Sequence, residues 1–225
     1  MKGMKDMKGM KKTTKVFFML FTSFMFFMSF LGAASQAQTQ TTEAATVLVR
    51  IETSFGNIDL AIDVKHAPVT SANFLKYVDA GLYNGGRFNR VTRPDNYTPA
   101  PPNRPMMELI QGGISPDRAA ERFPAIPLER TSVTGLKHVV GTLSMARGGP
   151  DSATSEFFIL LNDQPSLDFG GMRFDDGQGA AAFGKVVAGL DVVKTIQSQP
   201  VQSKDQNPQS LNPPVPIIKI SRLTK

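Results

Sequence analysis

Val140-Gly141-Thr142-Leu143-Ser144-Met145-Ala146-Arg147-Gly148-Gly149-Pro150, followed after a short polar link by Glu156-Phe157-Phe158-Ile159-Leu160-Leu161, decides the fold class. Both apolar runs are short, and glycine, proline and small polar residues bound them. That is the signature of strands joined by turns. Within the second run, Phe157 and Phe158 are adjacent, so in a strand they point to opposite faces. One faces a core and the other the opposite side of the sheet.

The same pattern extends in both directions. Thr46–Glu52 and Ile58–Ile62 read as a hairpin around the Ser54-Phe-Gly-Asn57 turn. Arg87–Thr92, Glu108–Gly112, Ala182–Val187 and Ile217–Ser221 read as further short strands. Pro68–Ala80 is a helix: Phe74, Leu75, Val78 and Leu82 share a face, Pro68 starts it and Gly81 stops it. Leu190–Gln197 is a second helix, and Ser198–Pro216 is a tail rich in proline and glutamine. Many short strands with two helices predict a mainly β fold, an antiparallel sheet closed or nearly closed on itself and capped at its ends. One compact domain over 46–225 is the simplest division, preceded by a polar, flexible linker over 38–45.

The chain has 225 residues, no Cys and a formal charge of +6. The missing cysteine excludes a disulfide scaffold, a thiol nucleophile and a Cys-ligated metal centre. Residues 1–37 carry six lysines and one aspartate, whereas the remainder holds 19 basic and 18 acidic residues. The basic character therefore sits at the N-terminus and gives no reason to expect a nucleic-acid partner. The lysines precede the apolar run Val16–Leu31, and Gly32-Ala33-Ala34-Ser35-Gln36-Ala37 follows. A positive segment, a short apolar run and small side chains make a secretory signal. Cleavage after Ala37 is expected, with a secreted or periplasmic mature protein. A membrane association arises only if the segment stays uncleaved, and the apolar run is shorter than the roughly 20 residues a spanning helix needs. Arg93–Pro105 carries five prolines and is expected as a surface loop; its Asn96-Tyr97-Thr98 sequon reads as a chance match.

Three stretches carry a family resemblance. Phe88-Asn-Arg90-Val91 precedes Leu109-Ile-Gln111-Gly112-Gly113. Gly141 through Ile159 contains Met145-Ala146-Arg147 and Asp151-Ser-Ala-Thr-Ser155. Leu167-Asp168 is followed by Ala182-Phe183-Gly184-Lys185-Val186. In this order, from about Val47 to Ile220, they resemble the cyclophilin-type peptidyl-prolyl cis–trans isomerases, the bacterial members most of all. The resemblance implies a closed eight-stranded antiparallel barrel capped by two α-helices. It implies a groove for proline-containing polypeptides and no cofactor. A monomer is expected.

The resemblance also assigns roles. Arg90 matches the catalytic arginine, and Gln111 matches the glutamine that bonds substrate backbone. Leu109, Phe158 and Leu167 match the pocket for the proline ring, which selects Phe158 as the groove phenylalanine. Ala146 and Arg147 match the segment whose backbone pairs with the peptide. The reaction is rotation about an imide bond, so no nucleophile, metal or general base is required. The chain departs from the family at Glu108 and Ser166, where aromatics are common, at Ala180, where His or Tyr is common, and at Glu156, commonly Gln. Those departures predict a looser pocket. They ground an alternative, a peptide-binding module or chaperone of the same fold with little catalysis.

Other signals are weak. His66 and His138 have no adjacent His or Cys, so a metal site is not expected and His138 reads as structural. No Gly-x-Ser-x-Gly nucleophile turn is present. Asp168-Phe169-Gly170 lacks the companion kinase motifs, and Gly170–Gly179 opens no helix in a nucleotide-binding pattern.

Overall fold

The computed structural model describes residues 45–96, 106–203 and 206–223. Residues 1–37, read from sequence as a signal, nearly all of the expected 38–45 linker and most of the 93–105 segment lie outside them. Eight strands, β1 (Thr46–Thr53), β2 (Gly56–Asp63), β3 (Arg87–Thr92), β4 (Leu109–Gly113), β5 (Thr142–Met145), β6 (Phe157–Leu160), β7 (Ala181–Ala188) and β8 (Ser210–Arg222), close into a barrel in the order β1-β2-β7-β5-β6-β4-β3-β8. Every pairing is antiparallel. Closure leaves no long unpaired edge.

Helices α1 (Pro68–Asp79) and α3 (Leu190–Gln197) are the two expected ones, joined by a single turn, α2 (Thr131–Thr134), and two short 3₁₀ turns. No residue beside α1 caps its first turn. Instead the Glu129 carboxylate, 60 positions on, accepts from the N–H groups of Val69 (3.0 Å) and Thr70 (2.7 Å). An anion there satisfies orphan donors and complements the helix dipole. The interior of the barrel is filled by Val49, Ile51, Leu60, Phe88, Val91, Ile110, Phe157, Ile159 and Phe183, among others, with Phe74 of α1 packed onto them. Phe74 meets Phe157 edge-on, with centroids 5.5 Å apart.

The last strand differs from expectation. It begins at Ser210 and runs through Pro213, Pro214 and Pro216, residues read from sequence as tail. The strand pairs with β3 in its first half and with β1 in its second. Pro213 and Pro214 fall in a bulge between the Ser210–Arg90 and Val215–Phe88 pairs, where β3 asks for no donor, and beside Pro216 it is the Ile217 N–H that donates to the Gly86 carbonyl.

The root of the 93–105 loop is pinned. Arg93 donates to the Asp95 carboxylate and to the carbonyls of Gln197 and Gln199 at the end of α3. Asn96 is buried, and its amide donates to the Val91 carbonyl. The sequon asparagine is thus a structural bond.

Candidate active site

A bulge builds this site. In β3, Phe88 pairs with Gly112 and Arg90 with Gln111, so Asn89 is an extra residue with no partner. Without it Phe88 and Arg90, two apart, would share a face. With it Phe88 and Val91 both enter the barrel interior while Arg90 turns outward.

Register then aligns a row across four strands: Arg90 (β3), Gln111 (β4), Phe158 (β6) and Ser144 (β5) are successive lateral neighbours. Their flanking residues, Val91, Ile110, Phe157, Ile159, Leu143 and Met145, belong to the interior. The row therefore lies on the face turned away from the interior, and Arg90 and Phe158 are two strands, about 10 Å, apart. Phe158 forms a separate apolar patch with Met107, Leu109, Leu160, Leu167 and Ala180, against which half-buried Ala146 and Phe174 pack. Phe157 enters the core and Phe158 this patch, as the alternation required.

The guanidinium of Arg90 is held from two sides. It donates from Nη1 to Gln111 Oε1 at 2.8 Å, and from Nε and Nη2 to Gln209 Oε1 at 3.0 and 2.8 Å. The Gln111 side-chain amide faces the Glu156 carboxylate and favours its charged form. Burial raises the Glu156 carboxyl above the usual range; the charges of Arg122 and Arg87 and the bond from Gln111 only partly offset this. The carboxylate can only accept, so it fixes which end of the Gln111 amide faces Arg90. Room for it comes from Gly113, where a Cβ would stand 2.5 Å from Glu156 Oε1.

Beneath Phe158 runs a buried relay. The Ser144 hydroxyl lies 3.0 Å from His138 Nε2, and His138 Nδ1 lies 2.9 Å from Asp168 Oδ1. Burial lifts the Asp168 carboxyl, but bonds from the His138 ring and backbone and the charge of Lys137 outweigh it, so the net shift is downward. The composition is that of a hydrolytic triad, yet Ser144 is 0% exposed. A substrate cannot reach it. The relay is a support, and its imidazole stacks near-parallel to Phe158 at 6.4 Å. His138 is structural, as expected.

The remaining expected residues divide. Leu109, Phe158 and Leu167 come together in the patch, with Ala146 on its rim. The Ala146 N–H donates to the Glu156 carbonyl at 2.9 Å. The Arg147 side chain is 1% exposed and folded back onto Asp176. Sequence reasoning missed Gln209, Met107 and Phe174. Gln209 lay in the segment read as tail. Met107 and Phe174 flank motifs without belonging to them, and no local signal could have found them.

Residues 48–222 match the family model described as cyclophilin type peptidyl-prolyl cis-trans isomerase/CLD. The chain is 38% identical over 187 residues to peptidyl-prolyl cis-trans isomerase A of Dickeya dadantii (strain 3937), covering 83% of this chain and 87% of that protein. It is 36% identical over 177 residues to a peptidyl-prolyl cis-trans isomerase of Acinetobacter baylyi, with 78% and 85% covered. A crystal structure of a cyclophilin type isomerase of Cryptosporidium parvum superposes with a TM-score of 0.61 at 22% identity, covering 80% of this chain and 99% of that one.

Proposed function

The chain belongs to the cyclophilin family and is a peptidyl-prolyl cis–trans isomerase, and from that premise we propose that Arg90 is its catalytic residue, acting on Xaa-Pro bonds of exported proteins as they fold. Rotation about an imide bond must cross a barrier of about 18–20 kcal/mol set by partial double-bond character. A catalyst has to bind the twisted form better than either planar form. When the bond twists, the prolyl nitrogen recovers its lone pair and becomes an acceptor. A donor aimed there stabilises the twisted form selectively.

The carrying observation is the pinned guanidinium of Arg90, on the same face as the Phe158 patch and one strand beyond Gln111. The apolar side chains Leu109, Phe158 and Leu167 hold the pyrrolidine ring by excluding water. Gln111 bonds the substrate backbone, and the Ala146 and Arg147 backbone pairs with the peptide as an added strand would. Because Arg90 is positioned before substrate arrives, its donors need no reorganisation at the moment of rotation; one such donor contributes about 2.7–4 kcal/mol. A relative's structure from Cryptosporidium parvum was solved in the presence of the dipeptide Ala-Pro, which supports the substrate class.

Export rests on residues 1–37, with their lysine-rich start, apolar run and Ser35-Gln-Ala37 end. The mature protein then begins at Gln38, works in the periplasm or outside the cell, and acts as a monomer. Purified 38–225 should accelerate isomerisation of an Ala-Pro peptide in a protease-coupled assay, and Arg90→Ala should lose about 10²–10³ of that acceleration. Client binding without any acceleration would favour the chaperone reading instead, and an unchanged rate in Arg90→Ala would remove Arg90 from the chemistry. Mass spectrometry of the exported protein should find Gln38 at the N-terminus; an intact Met1 would sink the export claim.

A further inference from the structure

Residues 169–179 form a loop between Asp168 and β7 that is stitched at both ends to the segment supplying the pocket. The Arg173 N–H donates to the Ser166 carbonyl (3.0 Å) and the Ala180 N–H to the Leu167 carbonyl (2.8 Å). At Gly179, which has φ +70°, a Cβ would stand 2.5 Å from the Leu167 carbonyl oxygen, so only glycine allows this approach. Inside the loop the Gly177 N–H closes onto the Phe174 carbonyl at 3.0 Å.

This loop carries one aromatic ring to the patch. Phe174 packs against the cluster of Leu109, Phe158, Leu167 and Ala180. The Arg147 guanidinium carbon lies 3.7 Å from the Phe174 ring centroid. Arg147 cannot drift: its Nε donates to the Gly179 carbonyl at 2.7 Å, and its Nη1 and Nη2 form a forked pair with Asp176 at 2.8 Å each. Bidentate arginine–carboxylate pairs add direction as well as energy. That pairing holds the Asp176 carboxyl down at about 2. Ser166, meanwhile, is a small residue at the edge of the same patch, its hydroxyl turned to Gln164 Oε1.

Building on the proline-pocket reading above, we propose that Phe174 is a specificity-determining wall of that pocket, clamped by Arg147 and Asp176, and that it sizes the pocket for a five-membered ring. The wall comes from a loop rather than from the 165–167 turn, so the small Ser166 leaves no gap. A stiff aromatic face set at a fixed place rejects a larger ring, whereas a pocket open on that side accepts it.

The test compares prolyl and pipecolyl peptides, which differ by one ring methylene, using exchange NMR on the 38–225 protein. Wild type should isomerise the prolyl peptide far better. Phe174→Ala should lower kcat/KM for the prolyl peptide about fivefold to thirtyfold and shrink the prolyl-to-pipecolyl ratio, and Phe174→Tyr should restore both. Asp176→Asn should shift the ratio in the same direction by less. If Phe174→Ala fails to fold, Phe174→Leu supplies the same comparison. A ratio left at the wild-type value in the folded variants overturns the proposal. Loss of all wild-type activity, or an Arg90→Ala variant that remains active, would instead count against the catalytic reading, so the two failures are separable.

Discussion

Removing the Gln209 side chain isolates the placement of Arg90 from its charge. Gln209 Oε1 accepts two of the guanidinium's bonds, at 2.8 and 3.0 Å. Its backbone is held independently, because its carbonyl accepts from the Val91 N–H at 2.8 Å. Gln209→Ala therefore deletes the acceptor without loosening the strand. A bond to a charged donor contributes about 1.5–3 kcal/mol, and Gln209 is half-buried, so water recovers part of it. About 1–2 kcal/mol of positioning remains, which predicts a fivefold to thirtyfold loss in kcat/KM. The loss should stay below that of Arg90→Ala, about 10²–10³, because the donor itself survives. Stability should fall by less than about 1 kcal/mol, a Tm change under about 2–4 °C for a chain of this length. Gln209→Glu keeps an acceptor and should retain more activity than the alanine variant. The assay is isomerisation of an Ala-Pro peptide by the single variants and by Arg90→Ala/Gln209→Ala. If Gln209 acts through Arg90, the double variant is no slower than Arg90→Ala alone. Wild-type activity in Gln209→Ala, or full additivity in the double variant, refutes the positioning role.

Two adjacent glycines should behave differently. A Cβ at Gly112 would stand 2.5 Å from the Arg87 carbonyl oxygen and 2.9 Å from Phe88 Cδ1, so Gly112→Ala should cost about 1–3 kcal/mol in urea unfolding. At Gly113 the clash is with the end of the Glu156 side chain, so Gly113→Ala should fold nearly as well but lose activity as the carboxylate leaves Gln111. Burial raises the Glu156 carboxyl in the folded state, so the folded protein binds a proton there more readily than the unfolded chain. Its effect on stability is then unfavourable and grows as pH rises from about 4.5 through the folded value. Glu156→Gln should raise Tm at pH 7 and leave it unchanged at pH 4; a fall at pH 7 would show the carboxylate to be net stabilising. Asp176 has the opposite sign. Its carboxyl is held at about 2, so its contribution is full above the ordinary value near 3.8 and disappears as pH falls from there to about 2. An acid titration followed by NMR should show the Phe174 resonances shifting with a midpoint near 2 in folded wild type and already shifted in Asp176→Asn.

Much of the architecture is legible along the chain. Helices α1 and α3 announce themselves through spacing, proline and glycine, and the short strands through their apolar runs. The opposition of Phe157 and Phe158 follows from alternation alone. The motif set around Arg90, Gln111 and Phe158 is likewise visible, because residue types at short spacing are a local property. What the chain does not reveal is which face a residue occupies once strands pair. Simple alternation puts Arg90 on the side of Phe88, and only the unpaired Asn89 turns it outward. The proline-rich start of β8 reads as tail until barrel closure sets it beside β3 with Pro213 and Pro214 in a bulge that needs no ladder donors. Gln209, 119 positions from Arg90, and Phe174, carried in by a loop, reach the site through barrel closure. Residue type and local period are written in the sequence, whereas register and neighbours across strands arise only when distant segments close the barrel, and the site is made of those neighbours.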